Sequence, residues 1–228
     1  VATAADAIAP VRRRRAPTEA ADASPFVPPG TGLSRLRHDV QDCRGCSLYR
    51  RATQAVFGQG PRRAAVMLVG EQPGDQEDRQ GAPFVGPAGQ LLDSALEAAG
   101  IARDAVYVTN TVKHFKWEPR GKRRLHRKPS YREAEACRPW LEAELHAVKP
   151  QVLVCLGATA AQALLGRDFR VSRQRGERVD SVWAPHTLAT MHPSAVLRQR
   201  GTDARARALA ALVDDLRVAA RLLKRHAV

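Results

Sequence analysis

Short, unbroken apolar runs recur along this chain, each ending in polar residues and most followed by a segment of helical period. "AAVMLVGEQPGD" (64–75) carries such a run up to its glycine, the pattern of a strand buried on both faces. "GPAGQLLDSALEAAG" (86–100) then places apolar residues at helical spacing, with Gly100 as a candidate C-cap. "AVYVTN" (105–110) reads as a second strand and "QVLVCLG" (151–157) as a third, with "ATAAQALLG" as the helix that follows it. "HTLATMHPS" (186–194) reads as a fourth strand. A short helix is expected around Leu33–Gln41 and a long cationic amphipathic helix over 203–225. Pro139 argues for two helical pieces across 130–148, the second beginning with proline in its first turn.

Strands alternating with helices imply a mostly parallel α/β sheet covered on both faces. Ligands of such sheets gather beyond the carboxyl ends of the strands. Here those ends read "GEQPGDQ", "TNTVKH" and "MHPS", which bring carboxylate, amide and imidazole groups toward one shared site.

Composition sets the class of partner. No apolar run approaches a membrane span, and no apolar leader of the secretory kind is present, so a cytoplasmic, nucleoid-associated protein without a membrane partner is expected. The 228 residues carry 37 Lys and Arg against 23 Asp and Glu, a formal charge of +14, which points to a polyanion and above all to nucleic acid. Residues 1–32, rich in Ala and Pro, are expected to be disordered or loosely attached, with "RRRR" (12–15) as an electrostatic arm. Residues 33–228 then form a single domain.

Two features carry candidate chemistry. The stretch "GKRRLHRKPS" (121–130) reads as a solvated, phosphate-seeking loop, with an imidazole in its middle that attraction to phosphate does not need. His126 is thus either incidental or a reactive group that the loop delivers. The chain also has four cysteines, Cys43 and Cys46 as C-x-x-C, then Cys137 and Cys155. Four thiolates suit zinc or an iron–sulfur cluster, although a cysteine inside "VLVCLG" is by itself usually a small core residue.

Taken together, "GEQPGDQEDRQGAPFVGPAGQLLD" (70–93), "VYVTNTVKH" (106–114), "VLVCLGATAAQALLG" (152–166) and "MHPSAVLR" (191–198) resemble the iron–sulfur uracil-DNA glycosylases called family 4. The likeness runs over roughly residues 33–222 and includes the order and approximate spacing of the cysteines. It implies a three-layer α/β/α sandwich around a mostly parallel four-stranded sheet. It also implies a structural [4Fe–4S] cluster on Cys43, Cys46, Cys137 and Cys155. One departure is specific: ordinary family 4 members tend to read "GEAPG" and lack the basic insertion. "GEQPGDQ" with "KRRLH" resembles the UdgX subclass, whose loop commonly reads "KRRIH"; Leu125 replaces the isoleucine. That subclass becomes covalently and irreversibly attached to uracil-containing DNA through the loop histidine, here His126.

The resemblance then assigns roles. Phe84 stacks on a flipped uracil, which Asn110 reads with its amide, and His192 donates to uracil O2 as negative charge develops. Glu71 positions or deprotonates His126, the nucleophile, with Gln72 and Asp75 supporting the substrate geometry. Asp78 and Arg124 position the loop. Lys122, Arg123, Arg127, Lys128 and Ser194 hold phosphates. The expected partner is uracil-containing DNA, preferably single-stranded, acted on by a monomer that releases free uracil. Taken without the resemblance, Phe84 is an ordinary loop aromatic, Asn110 a strand-end cap and His192 a structural histidine.

Overall fold

The computed structural model describes residues 21–30 and 32–224. In chain order its regular elements begin with α1 (Leu33–Asp39), β1 (Val66–Gly70), α2 (Asp75–Gln80), α3 (Pro87–Ala98) and β2 (Val106–Asn110). There follow β3 (Trp117–Arg120), β4 (Arg123–His126), α4 (Tyr131–Val148), β5 (Val152–Leu156) and α5 (Ala158–Leu165). The chain closes with α6 (Val171–Gln174), β6 (Arg178–Val179), β7 (His186–Thr190), α7 (Pro193–Leu197) and α8 (Thr202–Lys224).

The main sheet runs β2-β1-β5-β7-β6. Its first four strands are parallel and are the four that the apolar runs predict; all twenty of their residues are buried. The two-residue β6 adds an antiparallel edge that no apolar run announces. Alternate side chains divide the core. Leu68, Val108, Val154 and Leu188 meet Leu92 and Leu96 of α3 and Leu212 and Leu216 of α8. Met67, Tyr107, Leu153 and Ala189 meet Leu141 and Leu145 of α4 and Leu164 of α5. Three layers result, because each strand face buries its own stripe of helix.

Two expectations are corrected. Residues 131–148 form one helix with Pro139 inside it, not two pieces. Proline removes one helical donor, the N–H that would reach Glu135 O, and the next carbonyl, Ala136 O, accepts from Ala23 N–H at 2.9 Å. Ala23 is buried there beside Trp140. Residues 1–20, the larger part of the expected loose segment, lie outside the described residues. The second correction concerns the basic stretch, which is a β-hairpin rather than a loop. β3 and β4 pair antiparallel, with Trp117 opposite His126 and Arg120 opposite Arg123. Gly121, at φ 58°, supplies the left-handed first position of the two-residue turn.

Candidate functional site

The parallel strands end at Gly70, Asn110, Leu156 and Thr190, and the strand order reverses direction between β1 and β5. Two clefts, of about 600 and 370 Å³, open at these ends and share Gln72, His126, His192, Ser194 and Arg198 on their walls. Phe84 and Asn110 line the larger cleft; Glu71, Thr159 and Lys128 line the smaller. His126 therefore stands where the two meet. A cleft of about 960 Å³ opens elsewhere, beside Arg62, His146 and Gln151, and holds none of the predicted site residues.

The larger cleft is built from the sheet. Asn110, buried at the last position of β2, lies beside Gly70, where any side chain would collide with its Oδ1 and with the Phe84 ring. Phe84 holds φ at 58°, a left-handed backbone that a bulky side chain rarely adopts. Gly89 of α3 permits it, since a Cβ there would fall 1.6 Å from the Phe84 carbonyl oxygen. The Phe84 ring lies 6.0 Å from that of His192 at an interplanar angle of 29°.

His192 caps α7 with its ring. Its Nδ1 accepts from the Ser194 backbone N–H at 3.1 Å, so in the neutral imidazole the proton resides on Nε2. Burial, reinforced by Arg198 and His126, pushes its pKa down to about 4. His192 is thus a neutral ring with an Nε2–H donor on the cleft wall. Ser194 Oγ bonds the same Nδ1 at 2.8 Å and accepts from Arg198 at 3.0 Å.

The opposite wall is the hairpin, and ion pairs rather than an apolar core hold it. Arg124 pairs with Asp75 and with the buried Asp78, the latter at 2.6 Å. Burial disfavours the guanidinium charge, but hydrogen bonds to Asp78 and Asp75 outweigh it and keep Arg124 firmly protonated. Its guanidinium also lies 5.4 and 5.5 Å from the centres of the Phe115 and Trp117 rings. Asp78 in turn accepts from the Thr53 N–H and hydroxyl. Gln72 fixes the base of the hairpin: its amide donates to Lys116 O and Arg127 O at 3.2 and 3.1 Å and accepts from Lys116 N–H at 3.0 Å.

This scaffold leaves His126 Nε2 3.6 Å from Glu71 Oε1, while Glu71 Oε2 accepts from the Thr159 hydroxyl. Partial burial lowers the His126 pKa below its usual 6.5, Glu71 opposes the shift, and Arg198 adds to it. A mostly neutral imidazole at neutral pH, next to a carboxylate, has a free ring lone pair and a neighbouring proton acceptor.

The structure thus brings Glu71, Gln72, Phe84, Asn110, His126, His192 and Ser194 around one junction, with Asp75, Asp78 and Arg124 bracing it. Lys128 reaches the smaller cleft, Arg127 pairs with Glu118, and Lys122 and Arg123 stand exposed at the hairpin tip. Thr159 and Arg198 escape the sequence reading. Thr159 lies three residues past the end of β5, in the first turn of α5, within the region that the strand-end rule marks. Arg198 sits one turn beyond Ser194 and closes the quoted "MHPSAVLR", a motif that by itself gives the arginine no role.

The cysteines divide three and one. Cys43, Cys46 and Cys137 gather where α1, α4 and the intervening loop meet. There Trp140 Nε1–H donates to Cys43 Sγ at 3.1 Å and the Lys113 N–H to Cys137 Sγ at 3.3 Å. Burial pushes the Cys137 thiol up to about 12, with Lys113 opposing and the other two thiols adding to the rise. Cys155, also raised to about 12, is shifted by burial alone and lies among the β5 core residues. Among the described residues no three metal-ligating side chains are arranged closely enough to hold an ion. The donor chemistry nevertheless suits an iron–sulfur group, with soft thiols in a dry corner and N–H donors on two sulfurs.

Comparison with known proteins gives these features a family. The Uracil DNA glycosylase superfamily matches residues 57–217, and the chain belongs to it. A Type-4 uracil-DNA glycosylase of Thermotoga maritima is 36% identical over 167 residues, 73% of this chain and 83% of the relative. Enzymes of the same description from Pyrobaculum aerophilum and Archaeoglobus fulgidus are each 37% identical, over 73% and 72% of this chain and 85% and 83% of their own lengths.

Proposed function

We propose that this protein is a uracil-DNA glycosylase of the UdgX kind, which excises uracil once and remains bound to the DNA through His126. A uracil turned out of the strand enters the larger cleft and stacks on Phe84, and Asn110 pairs with its polar edge. The C1′–N1 bond breaks with its electron pair leaving on uracil, while His192 Nε2–H donates toward O2. A ring nitrogen of His126 supplies the pair for a new N–C1′ bond, the ring proton passes to Glu71, and uracil takes up a proton from solvent. An N-alkylated imidazole is a poor leaving group, so the enzyme does not turn over. Lys122, Arg123, Arg127, Lys128 and Ser194 hold the phosphates of a preferably single-stranded substrate, and the protein acts as a monomer. Cys43, Cys46, Cys137 and Cys155 hold a [4Fe–4S] cluster whose contribution is structural.

The observation that supports this reading best is the neutral His126 ring at 3.6 Å from Glu71, presented at the junction of the two clefts. Incubation with uracil-containing single-stranded DNA, followed by a denaturing gel, tests it. A shifted band that survives heat and detergent is expected. Repeated uracil release with an abasic product and no shifted band makes the protein an ordinary turnover glycosylase; salt-sensitive binding alone makes it an inactive binder. For the cofactor, iron and sulfide should be present in the purified protein, and its brown colour should disappear in Cys43→Ala. A colourless protein containing zinc overturns that assignment.

A further inference from the structure

Behind Asn110, and facing away from the clefts, lies a charged pair that the proposed chemistry does not use. Lys113 and Glu144 are both fully buried and form an ion pair. An ammonium has three N–H bonds, and each of these has an acceptor: Thr109 Oγ1 at 2.8 Å, the Asn110 backbone carbonyl at 2.7 Å, and Glu144 Oε2. Glu144 in turn accepts from Gly58 N–H at 2.8 Å, from the Tyr107 hydroxyl at 2.9 Å and from Thr109 Oγ1. Both ions are therefore fully engaged.

A buried ion pair is seldom the most stabilising choice, since apolar residues of similar volume often do as well. This one is also placed where geometry counts. The Asn110 carbonyl is the last of β2, and the Lys113 ammonium closes back on it from three residues downstream. The same turn is tied to β1: Thr111 N–H donates to Gly70 O at 2.9 Å and Val112 N–H to Glu71 O at 3.1 Å. Two strand ends, one carrying Asn110 and the other Glu71, are thus stapled together by the stretch that Lys113 anchors. Through Glu144 that anchor extends to α4.

We infer that Lys113, held by Glu144, is a positioning residue for base recognition: it fixes the Asn110 peptide, and so the direction of the amide that reads uracil. This inference rests on the assignment of Asn110 to uracil. Lysine is required over a neutral residue because only an ammonium can bond the Asn110 carbonyl, Thr109 and Glu144 together.

Lys113→Met combined with Glu144→Gln tests it. The pair becomes neutral, shape is kept, and glutamine still accepts from Gly58 and Tyr107, so the fold is retained where a single substitution would leave a buried charge unpaired. Single-turnover uracil release from single-stranded DNA should fall at least tenfold in the double variant. Adding Asn110→Ala should cost the double variant less than threefold further, although it costs the wild type far more, because both changes remove one function. The Asn110 side-chain amide resonances should also shift or broaden in the double variant. Release within twofold of wild type, an Asn110→Ala effect that simply multiplies, or unchanged amide resonances would each overturn the inference. A wild type that releases no uracil would instead sink the glycosylase reading, and the amide resonances would still decide the role of Lys113.

Discussion

The two walls of the site are made of different material. The Phe84–Asn110–His192 wall belongs to the sheet: Asn110 ends β2, His192 caps α7, and Phe84, in the loop before α3, packs into the core beside the strands. The His126 wall is a two-stranded hairpin with a largely exposed surface, held in place through Arg124, Asp75, Asp78 and Gln72. An isolated hairpin is marginal in water, so those polar anchors set where His126 stands. The wall that would recognise the base is as stable as the domain, and the wall that would react with the sugar is only as well placed as its ion pairs. Recognition and covalent capture should therefore separate on mutation.

The largest separation is expected from His126→Ser. Denaturing gels should show no adduct while uracil release persists, because water can occupy the vacated space; an undiminished adduct would refute the nucleophile assignment. Arg124→Ala should loosen the same wall without removing the nucleophile. It strands the buried Asp78 carboxylate, so chemical denaturation should report a loss of roughly 1–3 kcal/mol. Adduct formation should slow by about a hundredfold, the scale of effect expected for a misplaced reacting group. Uracil release should slow much less, and equal slowing of both would show that the walls are not independent.

Acid should separate the walls next. His126 is held below its usual 6.5 and His192 near 4. As pH falls from 7 to 5, capture should decline along a limb centred below 6.5, while the neutral His192 donor is retained. Stability has the same sign. His114, buried and also pushed to about 4 by desolvation, stays unprotonated in the folded protein while the unfolded chain takes up its proton near 6.5. Between those values the unfolded state binds more protons, so the thermal midpoint should drop as pH falls from 6.5, with the His114 contribution fully lost by about 4. Smallest of all is the effect of the hairpin tip. Lys122→Ala and Arg123→Ala should each reduce the slope of log affinity against log salt by roughly 0.7 on single strands, with the denaturation midpoint unchanged.

The sheet wall was legible because burial writes itself into sequence: "VMLVG", "VYVTN", "VLVCL" and "HTLAT" are apolar runs ended by polar groups, and the strand-end rule pointed to their termini. The hairpin was not, since it has no apolar alternation, carries Pro119 within a strand, and depends on acids some fifty residues away. Its one local signal is Gly121 followed by Lys122, a glycine-first turn between "WEPR" and "RRLH". Pro139 misled for a related reason: a helix-breaker tells of one missing donor, and Ala23, more than a hundred residues upstream, serves a carbonyl beside the break. The cysteines show a third limit. The apolar run around Cys155 already marks it as core, but spacing alone does not reveal that Cys137 joins the C-x-x-C pair.

The pairing of Trp117 with His126 has a consequence for how this site can change over generations. Side chains of a strand alternate sides, so Arg124 and His126 share one side of β4 while Arg123 and Leu125 take the other. The anchor and the reactive ring are thus linked by parity. A single residue inserted or deleted between them would send the imidazole to solvent while the anchor stayed in place. Residues gained in pairs would preserve the facing and alter only the reach. The hairpin can be lengthened in steps of two, and the chemistry proposed for it would be silenced by a step of one.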